Sequence, residues 1–394
     1  MVASPGIASN GYPEKRCITE NKSHDFINFD KSNIFKYINF LNSKLLNKAP
    51  SFIFRPLIVN PSNNIDAFHF FNHTGLLKGK WVSTFETIIP RIPEVMDIHR
   101  KPDGENNYEK NEKIGSLLSA IAESNCLSIL ALSQSAYNIQ VAMLDEYPAL
   151  ADSIKSKMRI VHPPQQLLVA AVTDKPVDSD RVKLIFVGRD FYRKGGAEIV
   201  LAVSELVESG IISADDIDVT LIGDLGKRDN YVHGEFKDDM QFYERIESIV
   251  KDLSCISHFA SLPNGQVMEK FISSHIGLLP TWGDTYGYSV LEMQACGCPV
   301  ITTSVRALTE INPSESGWMI DVPCNKFKEI VISSYDDKEE IRNIIIAGIK
   351  KNIANAVADK KTISDKAQAS IERIKNAHAP DAYFKLIDTI YESK

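Results

Sequence analysis

Two carboxylates stand in a glycine-containing stretch at positions 278–303, LLPTWGDTYGYSVLEMQACGCPVITT. Asp284 lies in the loop after an apolar run, and Glu292 follows eight residues later in an apolar helical pattern. Carboxylates accept hydrogen bonds from vicinal hydroxyls, such as those of a ribose. Gly283 and Gly287 let a backbone approach a ligand closely, and the start of a helix favours an anion. The stretch therefore predicts a phosphate site beside hydroxyl-bearing groups; the alternative is a strand–loop–helix with a surface aspartate.

Cationic residues follow another apolar run, at positions 182–196, VKLIFVGRDFYRKGG. Arg189 comes directly after Gly188, and Lys194 directly precedes Gly195. A planar guanidinium and a mobile ammonium together suit a diphosphate. Either residue alone is more typical of a surface loop. Together they supply the positive charge that the acidic stretch lacks.

Short apolar runs alternate with longer amphipathic ones along the chain, a pattern that predicts α/β domains with parallel sheets. The strand candidates lie at 51–59, 66–71, 81–85, 127–132, 182–188, 218–223, 275–280 and 299–303. The proline-containing segment 162–181 is the predicted interdomain linker. Two doubly wound domains would bind a ligand at the carboxyl ends of their strands.

Length and composition indicate an ordinary two-domain protein. The chain has 394 residues, of which 44% are hydrophobic and 24% are charged. A net charge of −7 argues against a general nucleic-acid binder. The six scattered cysteines favour a reducing compartment. Residues 1–15 lack the pattern of a signal peptide, and no apolar run approaches the ~18 residues of a membrane span, so we expect a cytoplasmic protein.

The order of these motifs resembles that of the retaining GT-B glycosyltransferases, in the large glycosyltransferase family 4-like group. Gly188–Arg189, Lys194–Gly195 and Gly223–Asp224 come first, followed by an acid, seven residues and a glutamate in DTYGYSVLEMQACGCPV. The resemblance implies a GT-B fold: two Rossmann-like, doubly wound domains that face each other across a cleft. Residues 1–172 would form the acceptor-side domain and residues 173–378 the nucleotide-sugar domain. Residues 379–394 would form a helix that crosses back to the first domain.

The resemblance also implies a role for each matching residue. Arg189 and Lys194 would hold the donor diphosphate, and Asp284 would contact hydroxyls of the donor sugar. Glu292 would bind the ribose hydroxyls. The remaining donor-binding residues line the sugar and phosphate or offer backbone N–H groups to the phosphate: Gly188, Thr285, Tyr286, Gly287, Tyr288, Ser289 and Val290. The sequence departs from the family at Asp284, where the family usually has glutamate.

The N-terminal half departs further from the family. DAFHFFNHTG resembles a D-x-x-H strand with His69 in register, and WVSTFETIIPR resembles a strand whose T-F-H histidine lies beside the anomeric carbon. Glu86 occupies that histidine's place. Either Glu86 takes over the catalytic role or the acceptor site is organised differently, with His73 as the nearest other imidazole. A single histidine in an apolar strand, such as His69, is also typical of a core.

The expected function is transfer of a sugar from a nucleotide-sugar donor to a hydroxyl of a glycan, lipid-linked or small-molecule acceptor, in surface polysaccharide or glycoconjugate synthesis. The alternatives are a GT-B-type UDP-sugar epimerase and a binding protein whose transferase site has decayed. We expect neither a metal nor another cofactor. The acid pair in DSD (178–180) is typical of a charged linker, and Cys296 and Cys298 have no second Cys/His pair at zinc spacing.

The segment 33–48, NIFKYINFLNSKLLNK, is predicted to form an amphipathic helix. Its apolar face carries Ile34, Ile38, Leu41 and Leu45, and lysines lie elsewhere on it. We favour a helix that covers the N-terminal sheet with this face. The alternative is a basic patch that makes peripheral contact with an anionic membrane, at the inner face where a lipid-linked acceptor lies.

Overall fold

The computed structural model, which describes residues 6–12, 16–57, 65–176 and 180–393, contains two α/β units. The first unit comprises Met1–Gln166 and His378–Lys394, and the second comprises Leu167–Ala377. The first break lies inside the segment 162–181. The predicted domain limits, after residues 172 and 378, lie slightly further along the chain.

In the first unit, a six-stranded parallel sheet has the order β2-β1-β4-β6-β7-β8, and β3 pairs with β5. Its strands are β1 Gly6–Ser9, β2 Asp25–Asn28, β3 Ile53–Phe54, β4 Ile65–Phe71, β5 Thr74–Gly75, β6 Trp81–Phe85, β7 Cys126–Ala131 and β8 Met158–Ile160. Its helices before the interunit segment are α1 Ile34–Leu46, α2 Glu112–Ala122, α3 Gln134–Leu144 and α4 Pro148–Lys155.

In the second unit, a six-stranded parallel sheet has the order β11-β10-β9-β12-β13-β14. Its strands are β9 Val182–Asp190, β10 Ile217–Asp224, β11 Ile256–Phe259, β12 Ile276–Leu279, β13 Val300–Thr303 and β14 Gly317–Ile320. Its helices are α5 Gly196–Glu208, α6 Met240–Asp252, α7 Asn264–Ile272, α8 Tyr288–Ala295, α9 Leu308–Ile311, α10 Tyr335–Ala358 and α11 Lys360–Ala377. The last helix, α12 Pro380–Tyr391, belongs to the first unit.

The strands that carry the site loops are apolar because helices cover both faces of a parallel sheet. Every residue of β12 and β13 is buried, and β9 buries most of its residues. Continuous apolar runs of this kind are visible in the sequence. Because the strands pair in parallel, their carboxyl ends lie along one edge of the sheet.

The sequence patterns missed the start of the first sheet. Strand β1 lies between β2 and β4, although no strand was predicted before residue 51. Each of β1 and β2 has only four residues, too few for periodicity to reveal. The predicted strand 51–59 is reduced to β3 in the described residues, and its last two positions lie outside them.

Helix α1 does not cover the sheet, so the interpretation that we favoured from the sequence is wrong. None of its residues is buried, and the side chains of Ile38, Leu41 and Leu45 are exposed. A polar side chain holds the helix instead, because Asn39 exchanges two hydrogen bonds with the backbone of Ser51, at 2.9 and 3.0 Å. In the described part of the chain, no helix is both long enough and apolar enough to span a bilayer.

Helix α12 completes the core of the first unit. Its Tyr383, Ile387 and Ile390 pack in one buried cluster with Ile7 and Val82 of the sheet. The helix thereby covers the side of the sheet that β1 and β6 form, and the core depends on residues from both ends of the chain.

The same packing fixes His69, which is fully buried on β4. Its Nδ1 lies 2.7 Å from the Tyr391 hydroxyl, and its Nε2 lies 2.8 Å from the Thr84 hydroxyl. Burial lowers the pKa of His69 to about 3, so the ring is neutral at pH 7. Against the expectation of an acceptor contact, His69 is a core residue, because an acceptor could reach it only by displacing both hydrogen bonds.

His69 should make the first unit sensitive to mild acid. The unfolded chain protonates histidine near pH 6.5, so the contribution of His69 to the free energy of unfolding is complete above that pH. It is lost as the pH falls toward the folded-state pKa of about 3. At about pH 5 the loss from His69 alone is about 2 kcal/mol. We expect urea unfolding at pH 7 and 5, followed by circular dichroism, to show a smaller loss in His69→Gln than in the wild type; equal losses would contradict this assignment.

Candidate functional site

The candidate site lies where three neighbouring strands of the second unit end. Strand β9 pairs with β10 on one side and with β12 on the other. Their carboxyl ends therefore bring together the loops after Asp190, Asp224 and Leu279. This edge is where open α/β sheets bind ligands.

Gly195 sets the distance between two of these loops. Its φ is +87°, and a Cβ there would lie 2.1 Å from the carbonyl oxygen of Pro280. Gly188 is tight in the same way, because a Cβ would lie 2.8 Å from the Cβ of Lys194. Only residues without a side chain allow this approach, which explains the glycines on both sides of the Arg189-to-Lys194 loop.

Lys194 and Asp284 form an ion pair between the two loops. Their side chains are only 17% and 13% exposed. Burial raises the pKa of Asp284, but the charge and hydrogen bond of Lys194 and the charge of Arg193 outweigh it, so the pKa lies below its usual value. Asp284 is therefore ionised near pH 7, and it neutralises the lysine that was predicted to bind a diphosphate.

Arg193 is a further site residue that the sequence reasoning missed. Its Nη1 donates to the Gly283 carbonyl at 2.6 Å, and its Nη2 pairs with the Asp190 carboxylate. Lys227 approaches the other Asp190 oxygen at 3.6 Å. The signal was the cation directly before Lys194 in the sequence RKG.

Arg189 makes none of the ion pairs of this cluster of charges. It is exposed at the end of β9, and within residues 6–12, 16–57, 65–176 and 180–393 its guanidinium forms no ion pair. The structure therefore brings Lys194 together with Asp284 and Arg193, and it does not bring Arg189 into the same contacts.

Helix α8 starts at the end of the acidic loop. Gly287 precedes it with a φ of +89°. Contrary to the sequence expectation, the Val290 N–H is already used, because it donates to the Gly287 carbonyl at 2.9 Å. Tyr288 and Ser289 are the first two residues of the helix, at the positive end of its dipole.

The other predicted donor residues lie on the same loop and helix. Tyr286 is buried, whereas Thr285 is half-buried in the loop. Glu292 is half-buried on α8, about one turn beyond Ser289. The acidic stretch thus has the strand–loop–helix arrangement that the sequence predicted.

In the first unit, Glu86 follows β6 and is held by its neighbours. The Glu86 Oε1 accepts a hydrogen bond from the Asn72 amide at 3.2 Å, and the Glu86 N–H donates to the Asn72 side chain at 3.1 Å. The Arg91 guanidinium pairs with the same carboxylate oxygen. In a catalytic role, the Glu86 carboxylate would have to act while paired with Arg91.

His73 lies in the loop after β4, close to the end of β1. Its Nδ1 is 2.9 Å from the Asn10 side-chain nitrogen and 2.7 Å from the Phe71 carbonyl. Burial is the largest influence on the pKa of His73 and lowers it, so the imidazole is neutral at pH 7. The sequence could not reveal the contact with Asn10, because β1 was not predicted.

Neither the cysteines nor the acids form a metal centre in the described ranges. There, no group of three or more His, Cys, Asp and Glu side chains could hold a metal ion. Cys296 and Cys298 are buried free thiols, and burial raises the pKa of each above its usual value. Of the DSD segment, residues 178 and 179 lie outside the described residues.

Comparison with known proteins finds a family match in the second unit. Residues 172–351 match the family model described as glycosyl transferases group 1. A D-inositol 3-phosphate glycosyltransferase from Corynebacterium jeikeium is 26% identical over 147 residues, which are 36% of this chain and 32% of that protein. The matches span 18% to 36% of the length of the curated relatives.

Solved structures resemble the chain over nearly its whole length. A glycosyltransferase from Rickettsia africae ESF-5 gives a TM-score of 0.59 at 13% identity, covering 99% of this chain and 98% of that one. Anabaena HepE in complex with UDP and glucose gives 0.53 at 8% identity, covering 98% and 99%. At such low identities the likeness concerns the fold alone, and that fold is the α/β GT-B fold.

The fit of Gly195 against Pro280 can be tested against a matched glycine. Gly210 also has a positive φ, +68°, but a Cβ there meets nothing within 4 Å. Gly210→Ala should therefore cost only the backbone strain, about 1–2 kcal/mol, whereas Gly195→Ala adds a clash at 2.1 Å. We expect a clearly lower melting temperature for Gly195→Ala in calorimetry; similar melting temperatures would contradict the close approach of the loops.

Proposed function

We propose that this protein is a retaining glycosyltransferase that moves a hexosyl group from a nucleotide-sugar donor to an acceptor hydroxyl, without a resident metal ion. The ion pair between Lys194 and Asp284 is the observation that carries the proposal. It sets a cation and a carboxylate side by side at the carboxyl edge of the sheet, inside the segment that matches the group 1 family model. A sugar diphosphate needs both groups at adjacent positions.

In the proposed binding step, Lys194 changes its partner. The donor diphosphate takes the place of Asp284 beside the ammonium, and the released carboxylate accepts hydrogen bonds from hydroxyls of the sugar. The diphosphate brings more negative charge than a single carboxylate, so it competes well for the lysine. Arg193 stays fixed by Gly283 and Asp190 and adds positive charge nearby.

In the proposed chemical step, the bond between the anomeric carbon and the phosphate oxygen breaks. The acceptor oxygen forms its new bond on the same face, and its proton passes to the leaving phosphate. Negative charge grows on the nucleoside diphosphate, where Lys194, Arg189 and the N–H groups at the start of α8 stabilise it. Glu292 holds the ribose and thereby fixes the position of the diphosphate.

The two alternative functions differ in their products. A UDP-sugar epimerase would release the nucleotide with an altered free sugar, and a binding protein with a decayed site would release no nucleotide. The transferase requires nucleotide release that rises with acceptor. The resemblance to HepE, whose structure contains UDP and glucose, makes UDP-sugars the first donors to examine.

The donor site is tested by a thermal-shift screen of nucleotide-sugars followed by kinetics on three variants. A ligand that binds only the folded state raises the melting temperature. Lys194→Ala and Glu292→Ala should each lower turnover at least tenfold, about 1.4 kcal/mol. Lys361→Ala removes an exposed lysine of α11 and should leave turnover unchanged. Turnover near the wild-type value in both site variants would refute this site assignment.

We propose that the acceptor is a glycan or lipid-linked molecule at an anionic membrane surface. The exposed surface of helix α1 supports this part of the proposal. Eight of the 14 exposed large hydrophobic side chains in the described residues lie between positions 27 and 57. They are Ile27, Tyr37, Ile38, Phe40, Leu41, Leu45, Leu46 and Leu57. A surface helix of a globular protein normally turns such residues toward the core, so this surface calls for an apolar partner.

Positive charge on the same surface selects the kind of partner. Exposed cations accompany the apolar residues: Lys31, Lys36, Lys44, Lys48 and Arg55. Asp30 pairs with Lys36, which leaves the surface basic. A helix bound at an anionic bilayer typically inserts its apolar side chains, while its lysines contact the lipid head groups. The proposal therefore locates the enzyme in the cytoplasm, at the inner face of the membrane.

Vesicle sedimentation tests this contact in about 0.1 M and about 1 M salt. The wild type should bind anionic vesicles more strongly than zwitterionic ones, and binding should weaken at the higher salt. Leu41→Asp with Leu45→Asp should abolish binding, and Lys44→Glu with Lys48→Glu should weaken it mainly at low salt. Ile211→Asp changes a side chain that is 59% exposed in the second unit and is the control. Equal losses in the control, or no binding by the wild type, would end the membrane proposal.

A further inference from the structure

The loop 225–239 connects β10 to helix α6 and contacts the candidate site. It leaves β10 at Asp224, and Lys227 approaches Asp190 at the end of β9 at 3.6 Å. Tyr231 and Val232 then pack against Gly283, where a Cβ would lie 2.9 Å from the Tyr231 hydroxyl and 2.9 Å from a Val232 methyl. The loop therefore lies beside Gly283, the residue directly before Asp284.

The far end of this loop is anchored to helix α10. The side chain of Asp238 is buried, and it accepts hydrogen bonds from Lys338 at 2.7 Å and from Arg342 at 2.8 Å. Phe236 packs edge-on against Tyr335, with ring centres 5.3 Å apart. Removing either cation would leave a buried carboxylate without full compensation, so the anchor resists opening.

A second anchor lies next to Tyr231. The His233 ring is perpendicular to the Trp282 ring, at 87°, with ring centres 4.5 Å apart. Its Nε2 lies 3.0 Å from the side-chain nitrogen of Asn230, whose oxygen accepts from the Val232 N–H at 3.1 Å. Trp282 comes two residues before Asp284, so this anchor couples the loop to the acidic stretch.

Tyr231 is exposed, although Asn230 and His233 on either side of it are buried. Its exposed fraction is 39%, whereas Asn230 and His233 are each 3% exposed. Its ring centre lies 5.4 Å from the guanidinium carbon of Arg193, which is itself held by Gly283. A large aromatic side chain is thus held in place by its neighbours while part of its surface remains accessible, next to the proposed sugar-binding carboxylate.

We propose that Tyr231 binds the donor sugar, with its ring against the C–H face of the hexosyl group whose hydroxyls bind Asp284. This assignment rests on the proposed function. An aromatic ring offers a large apolar surface with little entropy to lose on binding. Aromatic surface with a few fixed polar groups is the usual composition of a small-molecule site.

The competing explanation is that Tyr231 serves only to pack the loop onto Gly283. The two roles separate when a nucleotide-sugar is compared with the same nucleoside diphosphate. A sugar contact affects the nucleotide-sugar alone, because the diphosphate lacks the hexosyl group. A packing role disturbs the loop and changes the binding of both ligands equally or of neither.

Calorimetric titration with UDP-glucose and with UDP, or with the pair that the donor screen selects, tests this proposal. We expect Tyr231→Ala to weaken nucleotide-sugar binding about tenfold and nucleoside diphosphate binding less than twofold. Tyr231→Phe, which keeps the ring, should retain most of the affinity, and Tyr231→Leu, which keeps an apolar side chain but no ring, should behave like Tyr231→Ala. Ile211→Ala, at a side chain that is 59% exposed in the same unit as Tyr231 and outside the candidate site, is the control.

Each outcome of the titration has a defined meaning. Equal weakening of both ligands, or no change in either, would overturn the role of Tyr231 while leaving the transferase intact. If the wild type binds neither the nucleotide-sugar nor the nucleoside diphosphate, the proposed function itself fails. A nucleotide-sugar loss confined to Tyr231→Ala and Tyr231→Leu would support the sugar contact.

Discussion

The contact between the loop after β9 and the end of β12 is the constraint on which the candidate site depends. Gly195 permits it, because a side chain at this position would overlap the backbone of Pro280. The contact places Lys194 against Asp284, and Arg193 against the carbonyl of Gly283. Positive and negative groups from sequence positions 90 residues apart thus share one edge of the sheet.

A partly buried ion pair contributes little to stability, because desolvation of both charges offsets their attraction. The pair between Lys194 and Asp284 is therefore better explained by the donor site that we propose than by a contribution to stability. In the proposed function, each charge compensates the other until the donor supplies its phosphate and hydroxyl groups. The two loops can therefore be held in place before a ligand binds, because neither charge is left uncompensated at the edge of the sheet.

Much of the fold and part of the site could be predicted from the sequence, for reasons that the structure makes plain. Buried parallel strands such as β9 and β13 appear as continuous apolar runs, and the Lys194–Gly195 and Asp284-to-Glu292 motifs follow strand ends. Strands β1 and β2 are too short to show a period, and their neighbours come from later in the chain. The role of Arg193 depends on Gly283, and the bonding of the Val290 N–H depends on the turn at Gly287; neither follows from residue types alone.

The last helix has a consequence for the order in which the protein is made. His69 on β4 reaches its hydroxyl partner on Tyr391 only after 322 further residues have been synthesised. The second unit, a continuous segment of the chain, can fold on the ribosome before the first unit can close its core. During translation, the sheet around Ile7 and Val82 therefore remains uncovered until α12 emerges, and apolar surface exposed in this way is prone to aggregation.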